Sequence, residues 1–198
     1  MPISYPLTFP TATGIRTREL MPRTIVGMTS SPYTGQQQVF GWPGQWLQFS
    51  CSLPPMPDAN AGIWSAFFMA MNGPEGTCLF GDSVRKSPRG TASGTWTVGA
   101  GNVANSTTLI LAGGTGQFAV GDWLQIFSGA STRLHRVLQV NSSTSYDVFP
   151  RLRSAYANGS AVTYTNPKGV FRLAEMPSEG FDSGKICSGM SFSLVEAL

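Results

Sequence analysis

The residues that could support catalysis are few and scattered along the chain. His135 is the single histidine, so a catalytic triad would have to be built around it. It lies between Arg133 and Arg136 in a predicted strand, where nearby positive charge disfavours an imidazolium. The pattern favours a histidine on the surface of a strand over a general base.

The ten carboxylates form no close pair in sequence apart from Glu179 and Asp182, which lie in a loop rich in serine and glycine. A glycosidase needs two carboxylates that face one cleft, and nothing in the spacing supports such a pair. Asp58 is better explained as a helix N-cap. Asp82 is better explained as a turn residue or as the partner of Arg85. We therefore expect that the chain is not an enzyme.

The sequence also lacks the spacing of a metal site. Its three cysteines, Cys51, Cys78 and Cys187, have no C-x-x-C spacing, which argues against a zinc site or a disulfide scaffold. Each lies in an apolar run, so we predict buried free thiols and assembly in a reducing cytoplasm. The glycine-rich residues 113–116 precede a predicted strand rather than a helix, which favours a hairpin loop over a phosphate cradle. We expect no cofactor.

A group of arginines is the charged feature of most interest. Residues 88–165 contain five arginines and two aspartates, so this segment accounts for the whole net charge of +3. The group could contact a neighbouring subunit, nucleic acid or an anionic glycan of the host. It could equally be a solvated face of a barrel. The candidate contact residues are Arg133, Arg136, Arg151 and Arg153.

Three aromatic residues of the same segment, Trp96, Trp123 and Tyr146, have side chains that can stack on sugars or bases. Such rings are used more often to fill a core. Core packing is therefore the expected role of all three.

One helix is predicted in a sequence that otherwise favours β-structure. Apolar and polar residues alternate over residues 47–53, as on a half-buried strand, and a proline-rich segment follows. After Asp58, apolar side chains recur at three- and four-residue spacing, as on one helical face; they are Ile63, Trp64, Phe67, Phe68 and Met71. Gly73 and Pro74 then favour a helix end. The helix is predicted over about residues 58–72.

The two ends of the chain are predicted to form strands. Residues 15–20 and 24–29 predict two short strands, and residues 30–38 predict a long loop. Residues 185–195 form an apolar C-terminal strand, which must be paired. Its natural partners lie near residues 46–53.

Between these ends the composition shifts to glycine, threonine, serine, alanine and valine. Short strands separated by turn residues are predicted at 95–98, 107–111, 122–127, 132–140, 144–149 and 161–164, which suits a small closed barrel. In the central hairpin, the expected core residues are Trp123, Leu124, Ile126, Leu134, Val137 and Leu138.

The pattern predicts a mainly β protein with one helix, in which a small OB-like barrel is inserted into a discontinuous β-sandwich-like domain. The sandwich domain comprises residues 1–87 and 166–198, and the barrel comprises residues 88–165. Insertion is expected at exposed points flanked by proline and glycine.

Composition suggests a protein that is covered by other subunits. Charged residues make up 12% of the 198 residues, about half the usual fraction. A surface so poor in charge suits an obligate assembly. No stretch approaches the ~18 apolar residues of a membrane span, and the N-terminus lacks the pattern of a secretory signal. We expect a protein that is soluble where it is made and has no membrane partner.

Several sequence motifs are spread over nearly the whole chain. They are FGWPGQWLQF (residues 40–49), LPPM (53–56), WSAF (64–67), GTCLFGD (76–82), PRG (88–90), FPRLR (149–153), NPKGVFRL (166–173) and SFSLVEAL (191–198). Together these motifs resemble those of minor tail proteins of long-tailed bacteriophages, in particular the compact distal tail protein.

The resemblance implies a structural protein of the virion, located at the phage tail tip after assembly in the cytoplasm of the host bacterium. Such a protein forms a ring, a homohexamer, that joins the tail tube protein to the baseplate hub protein, and DNA only passes through its channel. The barrel projects outward and can support receptor-binding or side-fibre proteins. No catalytic residues follow from the resemblance. The alternative is a module that binds host-surface glycan through the inserted barrel.

Overall fold

The computed structural model describes residues 3–182 and 184–198. In this part of the chain, one α-helix accompanies a six-stranded sheet, a closed six-stranded barrel and a two-stranded pair. The predicted fold class, mainly β with one helix and a small barrel, is confirmed. The strands are β1 (Leu7–Thr8), β2 (Thr17–Ser30), β3 (Gln37–Ser52), β4 (Met56–Pro57), β5 (Cys78–Phe80), β6 (Ser93–Val98), β7 (Thr108–Thr115), β8 (Trp123–Ile126), β9 (Arg133–Val140), β10 (Ser145–Phe149), β11 (Ala161–Thr163), β12 (Gly169–Leu173), β13 (Ile186–Cys187) and β14 (Ser191–Glu196).

The sheet joins strands from both ends of the chain, in the order β1-β5-β12-β14-β3-β2. The C-terminal strand β14 pairs with residues 48–52 of β3, as predicted. It is shorter than predicted, because residues 185–195 divide into β13, which pairs with β4, and β14. The chain leaves the sheet after β5, forms the barrel, and returns as β12. The domain limits at residues 88 and 165 stay predictions.

The helix α1 (Asp58–Met71) has the predicted extent to within one residue. Of the predicted apolar face, Trp64, Phe67, Phe68 and Met71 are buried. The prediction that Ile63 belongs to this face is wrong, since its side chain is 48% exposed. The prediction that Asp58 is the N-cap is wrong, because Pro57 occupies that position and Asp58 is the first helical residue. At this position the Asp58 carboxylate still interacts favourably with the positive, N-terminal end of the helix dipole.

The main core lies against one face of the sheet. Phe49 of β3 points into it and contacts the rings of Phe80, Phe171 and Trp123. Since Trp123 belongs to the barrel, the sheet is covered partly by α1 and partly by the β8–β9 hairpin. The barrel is thereby held against the sheet rather than hanging from it by its two connections.

The barrel closes in the order β10-β7-β6-β11-β8-β9, and each of its strands overlaps a predicted one. Its separate core contains Val98, Leu124 and Ile126. The prediction that Leu138 is a core residue is wrong, since this side chain is 53% exposed. The prediction of a hairpin loop at residues 113–116 is wrong, because 113–115 belong to β7 and β7 pairs with β6 and β10 rather than with the following strand β8.

The first part of the chain differs most from the prediction. Residues 15–20 and 24–29 do not form two strands, because β2 runs unbroken from Thr17 to Ser30 along its partner β3. The long loop predicted at 30–38 is reduced to residues 31–36, since Ser30 pairs directly with Gln37.

Candidate subunit interface

The outer half of the β2–β3 hairpin extends beyond the rest of the sheet. The strand β3 pairs with β14 only over residues 48–52, whereas its pairing with β2 continues to Gln37. Among the described strands, residues 37–46 of β3 therefore pair with β2 alone. We call residues 24–46 the arm.

The arm has a local irregularity at its base. The register shifts between Thr24 and Val26, so the extra residues 42–44 of β3 lie opposite a short segment of β2. Gly44 faces Ile25 there, and a Cβ atom at Gly44 would lie 2.6 Å from Ile25 Cδ1. A bulge of this kind increases twist and redirects a ribbon, which fits the point at which the arm leaves the sheet.

Large apolar side chains are exposed on both faces of the arm. Phe40 is 53% exposed on one face. Met28 and Val39 pair across the strands and lie on the other face, where they are 65% and 59% exposed. Trp42 adds an indole that is 63% exposed. A soluble monomer seldom presents such a concentration of apolar surface unless the surface binds something.

The backbone of the arm also has hydrogen-bonding groups at its edges that are open to pairing. Both of its edges carry N–H and C=O groups that pair with no other strand of residues 3–182 and 184–198. Isolated two-stranded ribbons are only marginally stable in water, and open edges tend to pair with another chain. The arm therefore has the properties of a segment that is completed by assembly.

A groove lies where the arm leaves the body of the protein. It has a volume of about 480 Å³. Pro22 and Leu47 at the base of the arm form one wall, and Leu138 and Phe149 of the barrel form the other. Arg136 contributes a guanidinium that packs 5.3 Å from the centre of the Trp123 ring. The groove is thus mainly apolar, with a cation at one side.

Asp82 connects the barrel to the sheet. Its Oδ1 accepts hydrogen bonds from the backbone N–H groups of Val84 and Arg85, at 2.8 and 2.9 Å. The same carboxylate forms an ion pair with Arg18, and its Oδ2 accepts a hydrogen bond from Trp123. The prediction of a turn residue is confirmed, but the partner in the ion pair is Arg18 rather than Arg85.

The four predicted arginines do not form one free surface. Arg133 donates to the backbone oxygen of Ala197 at 3.2 Å, and Arg153 forms an ion pair with Glu196 at 2.8 Å. Both therefore bind the C-terminal end of the sheet. Arg136 lies in the groove wall.

Arg151 is placed at the junction of barrel and arm. Its backbone N–H donates to Gln45 Oε1 at 2.9 Å, and its side chain donates to the backbone oxygen of Asn105 at 3.3 Å. All four arginines are half-buried. A role for them in subunit or host contacts stays a prediction.

Sequence reasoning missed the charges that surround Arg136. Burial lowers the pKa of Arg136, and the positive charges of Arg85, Arg89 and Arg18 lower it further. Asp122 holds this region together by accepting the backbone N–H of Arg89 at 2.9 Å. The missed arginines are distant in sequence, so only the pairing of the strands brings them near Arg136.

The prediction that His135 lies on the surface is wrong. Its side chain is 1% exposed, because β9 is covered by the sheet core on the side of Leu134 and by Tyr156 on the other. Its Nδ1 lies 2.8 Å from the backbone oxygen of Pro150, and its Nε2 lies 2.7 Å from the Tyr156 hydroxyl. Burial lowers the pKa of His135 to about 4, and the charges of Arg153 and Arg133 contribute.

The aromatic residues named as candidate stacking platforms are core residues. Trp96, Trp123 and Tyr146 are each at most 2% exposed. None of the three rings is therefore available to stack on a sugar or a base at the surface. Their expected role in core packing is confirmed.

The cysteines are free and buried, as predicted. Burial raises the pKa of Cys51 to about 12 and that of Cys78 well above its ordinary range. Within the described residues, no three His, Cys, Asp or Glu side chains lie close enough to hold a metal ion. No helix of the described part is long and apolar enough to cross a membrane.

The arm was not recognised from its sequence, although one signal was present. No Asp, Glu, Lys or Arg occurs between Arg23 and Asp58. Glycine, proline, glutamine and threonine break the apolar alternation within this run, so it resembles a loop. The uncharged segment is long and contains Phe40 and Trp42. Its lack of charge is the sequence feature that indicates a covered surface.

No model of a known protein family matches the chain, and no curated protein matches it. The resemblance to distal tail proteins therefore rests on the sequence motifs alone.

Proposed function

We propose that this chain is a structural protein of a bacteriophage tail tip, and that six copies form a ring between the tail tube and the baseplate hub. Receptor-binding or side-fibre proteins are the further partners that we propose for the outward barrel. The proposal is supported by the sequence motifs, which suggest the family, and by the combination of a sheet with a small barrel, which suits it.

The arm is the observation that carries the proposal. It is uncharged, it exposes apolar side chains on both faces, and its two edges are open to pairing. Burial of apolar surface contributes about 25 cal/mol per Å², so covering the arm would favour association strongly. A contact between the arm of one copy and a different surface of the next copy is heterologous, and heterologous contacts form a ring when the rotation between copies closes.

The alternative, a glycan-binding module, has weaker support. A sugar site would need exposed aromatic rings or free arginines on the barrel. The three candidate rings are buried, and Arg133 and Arg153 bind groups within the chain. We therefore favour the ring.

The proposal is tested by the assembly state of the purified protein, measured by sedimentation velocity and negative-stain electron microscopy. Val39→Lys places a charge on the arm, and Val103→Lys is its matched control on the barrel, since the two valines are 59% and 60% exposed. We expect wild type and Val103→Lys to form rings. Val39→Lys should raise the concentration needed for assembly by about tenfold or more, because burying an unpaired charge is costly.

Two results would count against the proposal in different ways. A wild-type chain that stays monomeric at high concentration and forms no ring with a tail tube protein would overturn the proposed ring. Equal assembly of Val39→Lys and wild type, with circular dichroism confirming that the variant is folded, would mean that the arm is not the subunit interface and would remove the observation on which the proposal depends.

A further inference from the structure

The groove at the base of the arm is placed to receive an apolar segment. Its volume of about 480 Å³ falls within the range of sites that hold a sizeable group. Leu138 of β9 lines the groove on the barrel side. Its side chain is 53% exposed, whereas Leu134 and Val137 of the same strand are buried. An occupant would extend the main core, since Leu47 lies both in the groove wall and in that core.

The arm of the same molecule cannot fill this groove. Thr24 lies in the groove wall, and Phe40 pairs with Gly27, three residues further along β2. At about 3.3 Å per residue, Phe40 is held roughly 10 Å away from the groove, and the end of the paired strands at Ser30 is held roughly 20 Å away. Folding back would break the pairs between Val26 and Ser30 and their partners in β3.

We infer that the groove of each copy receives the arm of a neighbouring copy. The groove has a volume of about 480 Å³, so it holds only a few side chains of the arm. The other residues of 24–46 cover the surface around the groove, and the whole contact then reaches the roughly 20–30 residues that one side of a standard interface contributes. The inference rests on the proposed ring and names the contact that closes it.

The electrostatics of the two surfaces are compatible. The arm carries no charged residue, so it brings no unpaired charge into an apolar groove. The open edges of the arm instead present rows of backbone carbonyl oxygens. Arg136 stands in the groove wall, and an arginine has five N–H donors that can bind such acceptors.

This contact fixes the geometry of the assembly. The arm and the groove are different surfaces of one chain, so each copy gives an arm to one neighbour and receives an arm from the other. A contact of this kind is heterologous and leaves no arm uncovered only when the ring closes. A pairing of two arms would be isologous and would stop at a dimer.

Cross-linking in mixed rings tests the contact directly. Phe40→Cys and Leu138→Cys are made as separate variants, mixed, assembled and treated with a short bis-maleimide. Both positions are 53% exposed, so the folded chain should tolerate the changes. The native cysteines are buried and should not react. Val103→Cys, on the barrel surface, replaces Leu138→Cys in the control mixture.

We expect covalent dimers from the mixture of Phe40→Cys with Leu138→Cys, and at least about tenfold fewer from Phe40→Cys with Val103→Cys. In a second measurement, Leu138→Lys should raise the assembly concentration by about tenfold, whereas Val103→Lys should not.

The failure of this inference is distinguishable from the failure of the proposed function. Rings that form but give no cross-link between positions 40 and 138 would overturn the groove contact and leave the ring intact. Dimers from Phe40→Cys alone would overturn it in favour of pairing between arms. The absence of any ring would contradict the proposed function itself.

Discussion

The indole Nε1 of Trp123 donates a hydrogen bond to Oδ2 of Asp82 at 3.0 Å. Trp123 begins β8 of the barrel, and Asp82 follows β5 of the sheet. The other carboxylate oxygen of Asp82 is used by backbone N–H groups and by Arg18. One buried carboxylate therefore connects the barrel to the sheet and to the first long strand.

Replacing Trp123 by Phe tests the strength of this connection. The substitution removes the donor and leaves a buried carboxylate oxygen without it, so the free energy of unfolding should fall. Trp64→Phe is the matched control: this ring is equally buried in the same core, but its Nε1 has no hydrogen-bond partner among the described residues. Trp123→Phe should cost about 1.5–3 kcal/mol more than the control, as measured by urea unfolding. Equal losses would show that the bond contributes nothing to stability.

The buried His135 predicts a loss of stability in mild acid. Its pKa in the folded protein is lowered to about 4 by burial, whereas in the unfolded chain it is ordinary, about 6.5. Between these values the unfolded state binds the proton and the folded state does not, so stability falls as the pH falls. The contribution over the whole window is about 3 kcal/mol.

The variant His135→Gln isolates this effect. Burial raises the pKa of Glu196, so that carboxyl group acts in the opposite direction, but it is present in both proteins. The variant should be less stable than wild type at neutral pH, and the difference should narrow as the pH falls from 6.5 to 4. A difference that is independent of pH, measured by urea unfolding, would contradict the burial of a neutral imidazole.

The pattern within each segment predicted the elements but not their mutual arrangement. The helix was predicted to within one residue because its buried face is continuous from Ala61 to Met71. His135 and Leu138 were assigned wrongly because β9 packs on two cores. Leu134 of this strand belongs to the sheet core and Val137 belongs to the barrel core, so burial along β9 does not follow a simple alternation. Local alternation carries no information about a second layer that packs on a strand.

The junction and the arm depend on contacts that are distant in sequence. Asp82 and Trp123 are separated by 41 positions, and nothing near either residue identifies the other. The arm is a strand pair because β2 and β3 match in register, although proline and glycine weaken the strand pattern in both. The groove forms because barrel residues such as Leu138 and Phe149, which are distant in sequence, lie next to the base of the arm.

The ion pair between Arg153 and Glu196 predicts a strong coupling across the junction. Its nitrogen and oxygen are 2.8 Å apart, and the carboxylate also accepts the backbone N–H of Leu47 at 3.1 Å. Arg153→Met leaves a buried carboxylate without its cation and should cost about 3 kcal/mol at neutral pH. Glu196→Gln combined with it should recover part of that loss, because the amide is neutral and can still accept from Leu47.

A double-mutant cycle by urea unfolding measures this coupling. The loss caused by Arg153→Met alone should shrink in acid, because burial already raises the pKa of Glu196 and protonation removes the unpaired charge. Additive losses from the two substitutions at neutral pH would show that the two side chains do not interact.

Substitution of Gly114 tests how closely the Trp96 ring packs against the backbone of the barrel. It has a positive φ of 58°, and a Cβ atom there would lie 2.2 Å from the indole ring of Trp96. Gly129 has a similar φ of 62°, but nothing lies within 4 Å of its Cβ position. Alanine at either position incurs the strain of a left-handed backbone, about 1 kcal/mol. At Gly114 it must also displace a buried ring, which adds about 1–3 kcal/mol. The melting temperature of Gly114→Ala, measured by near-ultraviolet circular dichroism, should therefore be well below that of Gly129→Ala. Equal melting temperatures would mean that the Trp96 ring does not pack against Gly114.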